Sequence, residues 1–511
     1  MAVTPDSYIK LLKVPIELDN KNQLTFSNAN AQYAYFNGIS NAIVGDNFTY
    51  IRKDNIIRFP QHIDTLLGYN YVMYQNSNYT NKWFYCFITG MKYINDNMTE
   101  ISIKTDVFQT WQFDLTYKRC FVEREHVNDD TIGLHTVPEQ LETGDYVQNA
   151  VTTFAFHDYA FLIQVQKFWH TTNIPLATNL GRIAQAGGFY LCSTFQQVVD
   201  IIDEYNDPDN GVSIDNITNI YIVPERCTAG TTDSRHRWSG QTAPVVETHT
   251  MNKISSLNGY TPKNKKLLTY PYVGLLMSNN NGSSNLLRLE EFSTSDCEFE
   301  IVSVPTVGAS IKCAPKYYKN HGSGGYEEEK IIAGKFPALS WSADAYTNWL
   351  TQNAVNLSVG FATDIGMTIG GILSGGAGTA VSGAMGIINR MAQIEQQKFA
   401  PNTAKGNTNA GDVATANYTN DIYFYMLSIK YEYAKMIDDF FTMYGYKVNS
   451  VKVPNITGRT NWNYVKTVDS IIIGDVPQED LQEIKNMLDD GVTFWHNSNT
   501  FLDYSQSNTI V

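Results

Sequence analysis

Twenty-five consecutive residues, Ile365 to Asn389, carry no charge, between Asp364 and Arg390, in a stretch rich in Gly, Ala, Ser, Ile and Met. This run limits the fold more than any other feature. As one helix it would reach about 37 Å, enough to cross a bilayer core of about 30 Å. Its glycine content is high for a single stable span. The pairs Gly366/Gly370, Gly371/Gly375 and Ser382/Gly386 have the small-xxx-small spacing that lets helices pack closely. A buried core helix or a Gly-rich linker fits the pattern equally well. An apolar strip of this kind exposed on a monomer invites aggregation. The reading carried forward is a stored loop, sheltered among copies of the chain, that meets lipid later. Its candidate membrane-active residues are Leu357, Val359, Phe361, Ile365, Met367, Ile369, Ile372, Leu373, Val381, Met385, Ile387 and Ile388.

The rest of the chain is different. Of 511 residues, 17% are charged and 13% aromatic, with 32 Tyr and 25 Phe. Such a chain has ample apolar surface to offset ordering entropy, so a disordered protein is excluded. A coiled coil would need far more Ala, Glu, Lys and Leu. Tyr, Phe, Val, Ile, Thr and Asn in this abundance favour strands joined by polar turns. The net charge of −14 argues against a protein that grips phosphates and permits DNA to pass without sticking. The densest basic stretches are Lys263-Asn264-Lys265-Lys266 and Arg235-His236-Arg237; the three lysines in four residues read as a solvated loop. Six cysteines without a CxxC pair read as free, mostly buried thiols of a reducing compartment. The N-terminus lacks a secretory pattern, and synthesis in a cytosol is expected.

Residues 7 to 115 read as β. A long hairpin rises through Tyr85 to Ile94, turns at Asn95-Asp96-Asn97 and returns from Glu100 to Val107, with Ile101, Ile103 and Val107 on the buried side. Arg119 to Val127 is a further strand, followed by turns. Residues 151 to 265 read as a mixed α/β lobe with strands at Tyr159–Val165 and Asn219–Val223. Between them Ser193 and Gln196 resemble a capping box opening a helix that Asn206 to Gly211 stops. Residues 266 to 345 return to β patterning. After a polar, turn-rich stretch at 400–411 come a strand at Ile422–Leu427 and a helix with Tyr433, Met436, Ile437, Phe440, Phe441 and Tyr444 as its core stripe, ended by Gly445. A last helix starts at Pro477, buries Leu481, Ile484, Met487 and Leu488, and meets Gly491.

No HExxH, GxSxG, phosphate loop or calcium loop occurs, so no catalytic residue, metal site or cofactor is expected. Glu123, Glu125, His126, Asp129 and Asp130 gather acid and base groups, but alternation along a strand puts Glu123 and Glu125 on one face and Arg124 and His126 on the other, the pattern of a solvated or intersubunit strand. A wall-hydrolysing enzyme would rest on these carboxylates, and a receptor-binding module on exposed aromatics such as Trp169 in the 151 to 265 lobe.

Three features together resemble the distal tail knob, or tail tube, proteins of picovirus-type short-tailed phages of Gram-positive bacteria. They are the hairpin ending Glu100-Ile101-Ser102-Ile103-Lys104-Thr105-Asp106-Val107-Phe108-Gln109-Thr110-Trp111; the stretch Phe121-Val122-Glu123-Arg124-Glu125-His126-Val127, continuing through Asp129-Asp130 to Pro138-Glu139 and Gly144-Asp145-Tyr146; and the apolar segment 355–394. The resemblance implies a mainly β, multidomain chain with α+β parts: a first β-barrel-like tube domain at 1–115, an outer mixed α/β lobe at 116–265, a second β region at 266–350, an inserted hydrophobic loop at 351–416 and a C-terminal α+β part of the tube at 417–511. It also implies a virion protein of the distal tail, a homohexamer joined to other tail proteins. Its loops would plug the lumen and then enter the host membrane, and DNA would pass without sequence-specific binding.

Overall fold

The computed structural model describes residues 7–339 and 421–511, apart from short internal stretches at 47–49, 52–53, 77–79, 157–158, 170–177, 181–182, 186, 241–242, 281, 304–309 and 336–337. Two compact units form. The first comprises residues 1–144, 260–267 and 431–511, and the second residues 145–259 and 268–430. The described residues are mainly β, arranged in seven sheets.

The first unit holds an antiparallel seven-stranded sheet ordered Ile43–Asp46, Ser7–Leu12, Tyr71–Asn76, Thr80–Asn95, Met98–Thr105, Ile56–Phe59, Tyr50–Ile51. Its centre is the expected hairpin. The return strand alternates buried Thr99, Ile101 and Ile103 with partly exposed neighbours. Val107, expected to continue that alternation, opens a short helix Val107–Trp111 instead. The cause is Asp106, whose carboxylate accepts the N–H of Gln109 at 3.0 Å and caps the turn. The helix Ala29–Asn37 was not expected in this β stretch; Asn28 caps it and Phe36 anchors it.

A second sheet, ordered Asn22–Leu24, Val492–Trp495, Trp462–Val468, Cys120–Glu125, Tyr446–Lys452, joins segments from both ends of the chain. Trp462 and Trp495, both fully buried, share a core with Leu12, Phe36, Tyr71 and Tyr85. Burying side chains of this size contributes about 1.5–3 kcal/mol each. The helix Gln478–Asp490 covers the other side, burying Leu481, Ile484, Met487 and Leu488 as its periodicity predicts, and ends at Gly491.

The helix Tyr431–Tyr444 turns a different face inward from the one its spacing predicts. Its buried ridge is Ala434, Ile437, Asp438 and Phe441, while Met436 is exposed. The expected stripe was centred one position too far round the helix, because Asp438, a charged residue, occupies a core position.

In the second unit, Tyr146–Phe154, Ile422–Ile429, Val273–Ser278 and Ser284–Leu287 form an antiparallel sheet in that order. Another sheet runs Arg237–Trp238, Gly188–Cys192, Tyr159–Val165, Ile217–Pro224, Ala338–Leu339, and a third Val245–Asn252, Asp296–Ser303, Ser310–Lys316, Ile331–Lys335. The helix Phe195–Asn206 packs Val198, Ile201, Ile202 and Tyr205 onto the second of these. Its capping box is Thr194 with Gln197, one residue later than Ser193 with Gln196: the N–H of Gln197 donates to the Thr194 hydroxyl, and that of Thr194 to Oε1 of Gln197, both at 3.3 Å. All six cysteines are buried free thiols.

Candidate functional site

The twelve candidate residues from Leu357 to Ile388 lie outside the described residues. The strands on either side of that segment are described, and both belong to the second unit. Ala338–Leu339 pairs with Ile220 and Tyr221 at a sheet edge. Ile422–Ile429 sits between two partners in the middle of its own sheet, with Ile422, Phe424 and Met426 fully buried. In sequence, residues 340–420 lie between these two strands, and the strand that follows them is anchored in a core. Among the described residues no helix is long and apolar enough to cross a membrane.

The acid and base residues at 123–130 have a different fate from the one their spacing predicts. A β-bulge between Val122 and Arg124 shifts the alternation by one residue. Glu123 stays at the surface, 3.0 Å from Lys466, whereas Glu125 turns wholly inside. There it pairs with Lys452 and accepts the N–H of Asn455 at 2.9 Å. His126 is buried beside it. Its Nδ1 accepts the N–H of Tyr464 at 2.8 Å, and its Nε2 lies 3.1 Å from the carbonyl of Thr442. This fixes a neutral imidazole donating through Nε2. Burial, with Arg459 and Arg124 close by, holds its pKa down at about 3. Asp129 accepts from Thr131 in its own turn, and Asp130 accepts from the Tyr446 hydroxyl at 2.6 Å and the Lys265 N–H at 3.0 Å.

The stretch that looked like a solvated basic loop is one only in part: Lys263 and Lys265 are exposed, whereas Asn264 and Lys266 are buried. Lys266 is buried and paired with Glu139, and it donates to the Val137 carbonyl at 2.9 Å. Glu139 pairs in addition with Arg124 and accepts the N–H of Lys447 at 2.9 Å. The Arg124 guanidinium lies over the Phe440 ring, 4.8 Å from its centroid, and donates to the Gly445 carbonyl at 2.8 Å. Lys266 looks solvated from sequence because its partner stands 127 positions away. The one available signal was a cluster of charges in a charge-poor chain.

Each of these groups is spent on a protein partner. A general base needs an open lone pair in reach of substrate, and neither Glu125 nor His126 offers one. Among the described residues no three His, Cys, Asp or Glu side chains gather as a metal site. Trp169 is half-buried against the core of its lobe, with the Arg235 guanidinium 4.9 Å from its ring centroid, rather than exposed.

Residues 239–509, more than half of the chain, match the family model of the C-terminal domain of tail knob protein gp9 of Bacillus phage phi29. The chain belongs to the tail knob protein family. Residues 6–116 match the model of the caudoviral major tail protein N-terminus. Tail knob protein gp9 of Bacillus phage phi29 is 26% identical across 96% of this chain and 96% of its own length. The tail knob protein gp9 of Bacillus phage B103 is 25% identical, covering 97% of each. The structure of the bacteriophage C1 tail knob protein gp12 has the same fold, with a TM-score of 0.68 at 17% identity over 99% of this chain and 100% of that one. The resemblance read in the sequence holds at the level of the family. As a tail knob protein the chain is a structural component of the phage tail, and the names of these relatives are not those of enzymes.

Proposed function

We propose that copies of this tail knob protein close side by side into a tube at the end of the tail, six to a ring, through which the genome leaves. The insertion at 351–416 is held in the lumen of that tube and then released into the host membrane. The observation that carries the reading is the strand Tyr146–Phe154. It is an edge strand nine residues long, without a charged residue, and exposed along most of its length. Sheet edges of this kind pair with other chains unless Lys, Pro or a covering loop blocks them. Here a single bulge between Gln148 and Ala150 interrupts it. The first unit adds a second sticky surface. Phe121 pairs with Val451 on one side and Val468 on the other, and the three apolar side chains are 40%, 59% and 45% exposed in a row. The acidic balance of the chain suits a channel along which DNA slides without being held.

The membrane step rests on the uncharged run Ile365 to Asn389, long enough as a helix to span a bilayer. The test is dye release from liposomes by the full chain and by a chain lacking 355–394, with solution mass measured for both. Six-fold mass in both proteins with release confined to the full chain is expected. Equal release from both defeats the membrane step, and a monomeric mass defeats the tube.

A further inference from the structure

A cleft of about 580 Å³ opens in the first unit where the turn at 19–22, the last turns of the helix Gln478–Asp490 and the strand Trp462–Val468 converge. Its volume lies in the range of small-ligand sites, about 300–1,000 Å³. It does not overlap the buried ion pairs described above. Among the residues that line it, Met487 is the one aliphatic side chain.

Three tyrosines supply the aromatic wall. The rings of Tyr444 and Tyr464 meet edge to face at 5.1 Å. Tyr504 is braced from behind by Trp462 at 5.2 Å and Trp495 at 5.0 Å. Gly491 has φ +97°, and a Cβ there would stand 2.2 Å from the Tyr464 hydroxyl oxygen, so glycine keeps that hydroxyl seated in the cleft. The hydroxyls of Tyr444 and Tyr464 meet no hydrogen-bond partner among the described residues.

The polar groups divide into those already engaged and those open. Glu483 is engaged by Lys104 at 2.7 Å and by Asn20 at 3.2 Å. Asp19 faces Lys21 at 3.7 Å. Asn486 accepts from Gln482 at 2.9 Å, and Asn22 from the Trp495 indole at 3.1 Å, which leaves the N–H groups of both amides open. Asp490, exposed at the helix end, has no ion-pair partner among the described residues. The open set is one carboxylate, two hydroxyls and two amide donors beside aromatic rings.

That set suits a polyhydroxylated ring. Sugar hydroxyls donate to the carboxylate and accept from the amides, while C–H faces rest on the tyrosines. Asp19, Glu483 and Asp490 outnumber Lys21 among the lining residues, which disfavours a phosphate-bearing or other anionic chain. The polar lining disfavours a lipid tail. We infer that this cleft binds a neutral sugar unit of a glycan chain. We assign it binding rather than cleavage: Glu483 is tied to Lys104 and Asn20, and Asp19 faces Lys21, which leaves Asp490 as the one unengaged carboxylate of the lining, where glycoside hydrolysis takes a pair.

The experiment is calorimetric titration of the full-length chain with chitotetraose and with maltotetraose, and with oligogalacturonate as the anionic counterpart. Saturable binding of at least one neutral probe is expected, weaker by about tenfold in Asp490→Ala, the size of one lost hydrogen bond to a charged group. Asn486→Ala, also at an exposed position, weakens binding too and serves should Asp490→Ala fail to fold. The inference is overturned by no saturable binding of either neutral probe at about 10 mM, by affinity unchanged in the folded variants, or by tighter binding of oligogalacturonate.

Discussion

The side-chain amide of Asn264 donates to Oδ1 of Asp438 at 2.8 Å, joining positions 174 residues apart. Asp438 also accepts from the backbone N–H of Asn264 at 3.0 Å, from that of Lys263 at 2.7 Å and from the Tyr260 hydroxyl at 2.8 Å. This one carboxylate, wholly buried on the helix Tyr431–Tyr444, fastens the short segment 260–267 into the first unit. Asp438→Ala removes the acceptor of two backbone N–H groups and the Tyr260 hydroxyl, while the Asn264 amide keeps the Thr442 hydroxyl at 2.9 Å, and it lowers stability by about 3 kcal/mol. Asp438→Asn, which keeps one acceptor oxygen, loses less. Urea midpoints of the two variants check the order, and equal midpoints defeat it.

Glu139 stands between two cations, the buried Lys266 and the half-buried Arg124. Breaking such a group costs most when it leaves charge uncompensated. Glu139→Gln strands two cations, whereas Lys266→Met leaves Arg124 still paired with Glu139. Glu139→Gln is therefore the more damaging change, and both are expected to cost about 3–5 kcal/mol. A smaller midpoint shift in Glu139→Gln than in Lys266→Met contradicts this assignment.

Gly445 and Gly211 share almost the same backbone, φ +64° and +65°, in different surroundings. A Cβ on Gly211 meets nothing within 4 Å, while one on Gly445 would lie 2.1 Å from the Glu125 carbonyl oxygen. Gly211→Ala loses about 1 kcal/mol through the strained backbone. Gly445→Ala adds a collision with a strand backbone that cannot yield, and is expected to lose more than about 3 kcal/mol or fail to fold. Thermal melts of the two variants separate backbone strain from collision.

Local periodicity made several of these elements legible in the sequence. The hairpin turning at Asp96, the helix that Gly445 ends and the buried face of Leu481, Ile484, Met487 and Leu488 all follow from spacing within a few residues. What local spacing lacks is the identity of distant partners. Lys266 looks like a surface lysine until Glu139 is beside it, and Asp438 looks like a gap in an apolar stripe until Asn264 fills its lone pairs. Glu125 was misplaced because a bulge, invisible in the alternation, turned it inward. The cleft between Tyr464 and Asp490 left no local trace, since its walls come from residues 19–22, 444–504 and the turns between them.

Acid should weaken the first unit through its histidines. Burial holds His126 at about 3 and His496 at about 4, against about 6.5 in an unfolded chain. As pH falls below about 6.5 the unfolded chain takes up protons that the folded one refuses, so stability drops until the folded values are reached. Asp106 works the other way. Burial raises it to about 6 despite the Gln109 N–H and the Tyr71 hydroxyl, so between that value and its ordinary one near 4 the folded state holds the extra proton and gains as pH falls. Two losses against one gain leave a net slope of about one proton, ~1.4 kcal/mol per pH unit. Denaturant midpoints at pH 7 and pH 5 measure it. His126→Gln is expected to flatten that slope, and an unchanged slope would remove His126 from the account.

The edge strand Tyr146–Phe154 offers the sharpest test of assembly. Val151 is 45% exposed on it, opposite Tyr425 of the neighbouring strand, and nothing in its own sheet lies beyond it. A lysine there is tolerated by an isolated subunit, because surface substitutions away from buried features stay within about 0.5 kcal/mol. In a ring, the same lysine would be buried against a neighbouring copy without a counter-charge, and six copies would repeat the penalty. Val151→Lys is therefore expected to leave the subunit's melting temperature in place while shifting solution mass from ring to monomer. Restoration of the ring in high salt would not follow, since the penalty is desolvation of the ammonium rather than long-range repulsion. A Val151→Lys protein that still sediments as a full ring would show that copies meet through another surface, with the row Phe121, Val451 and Val468 the next to alter.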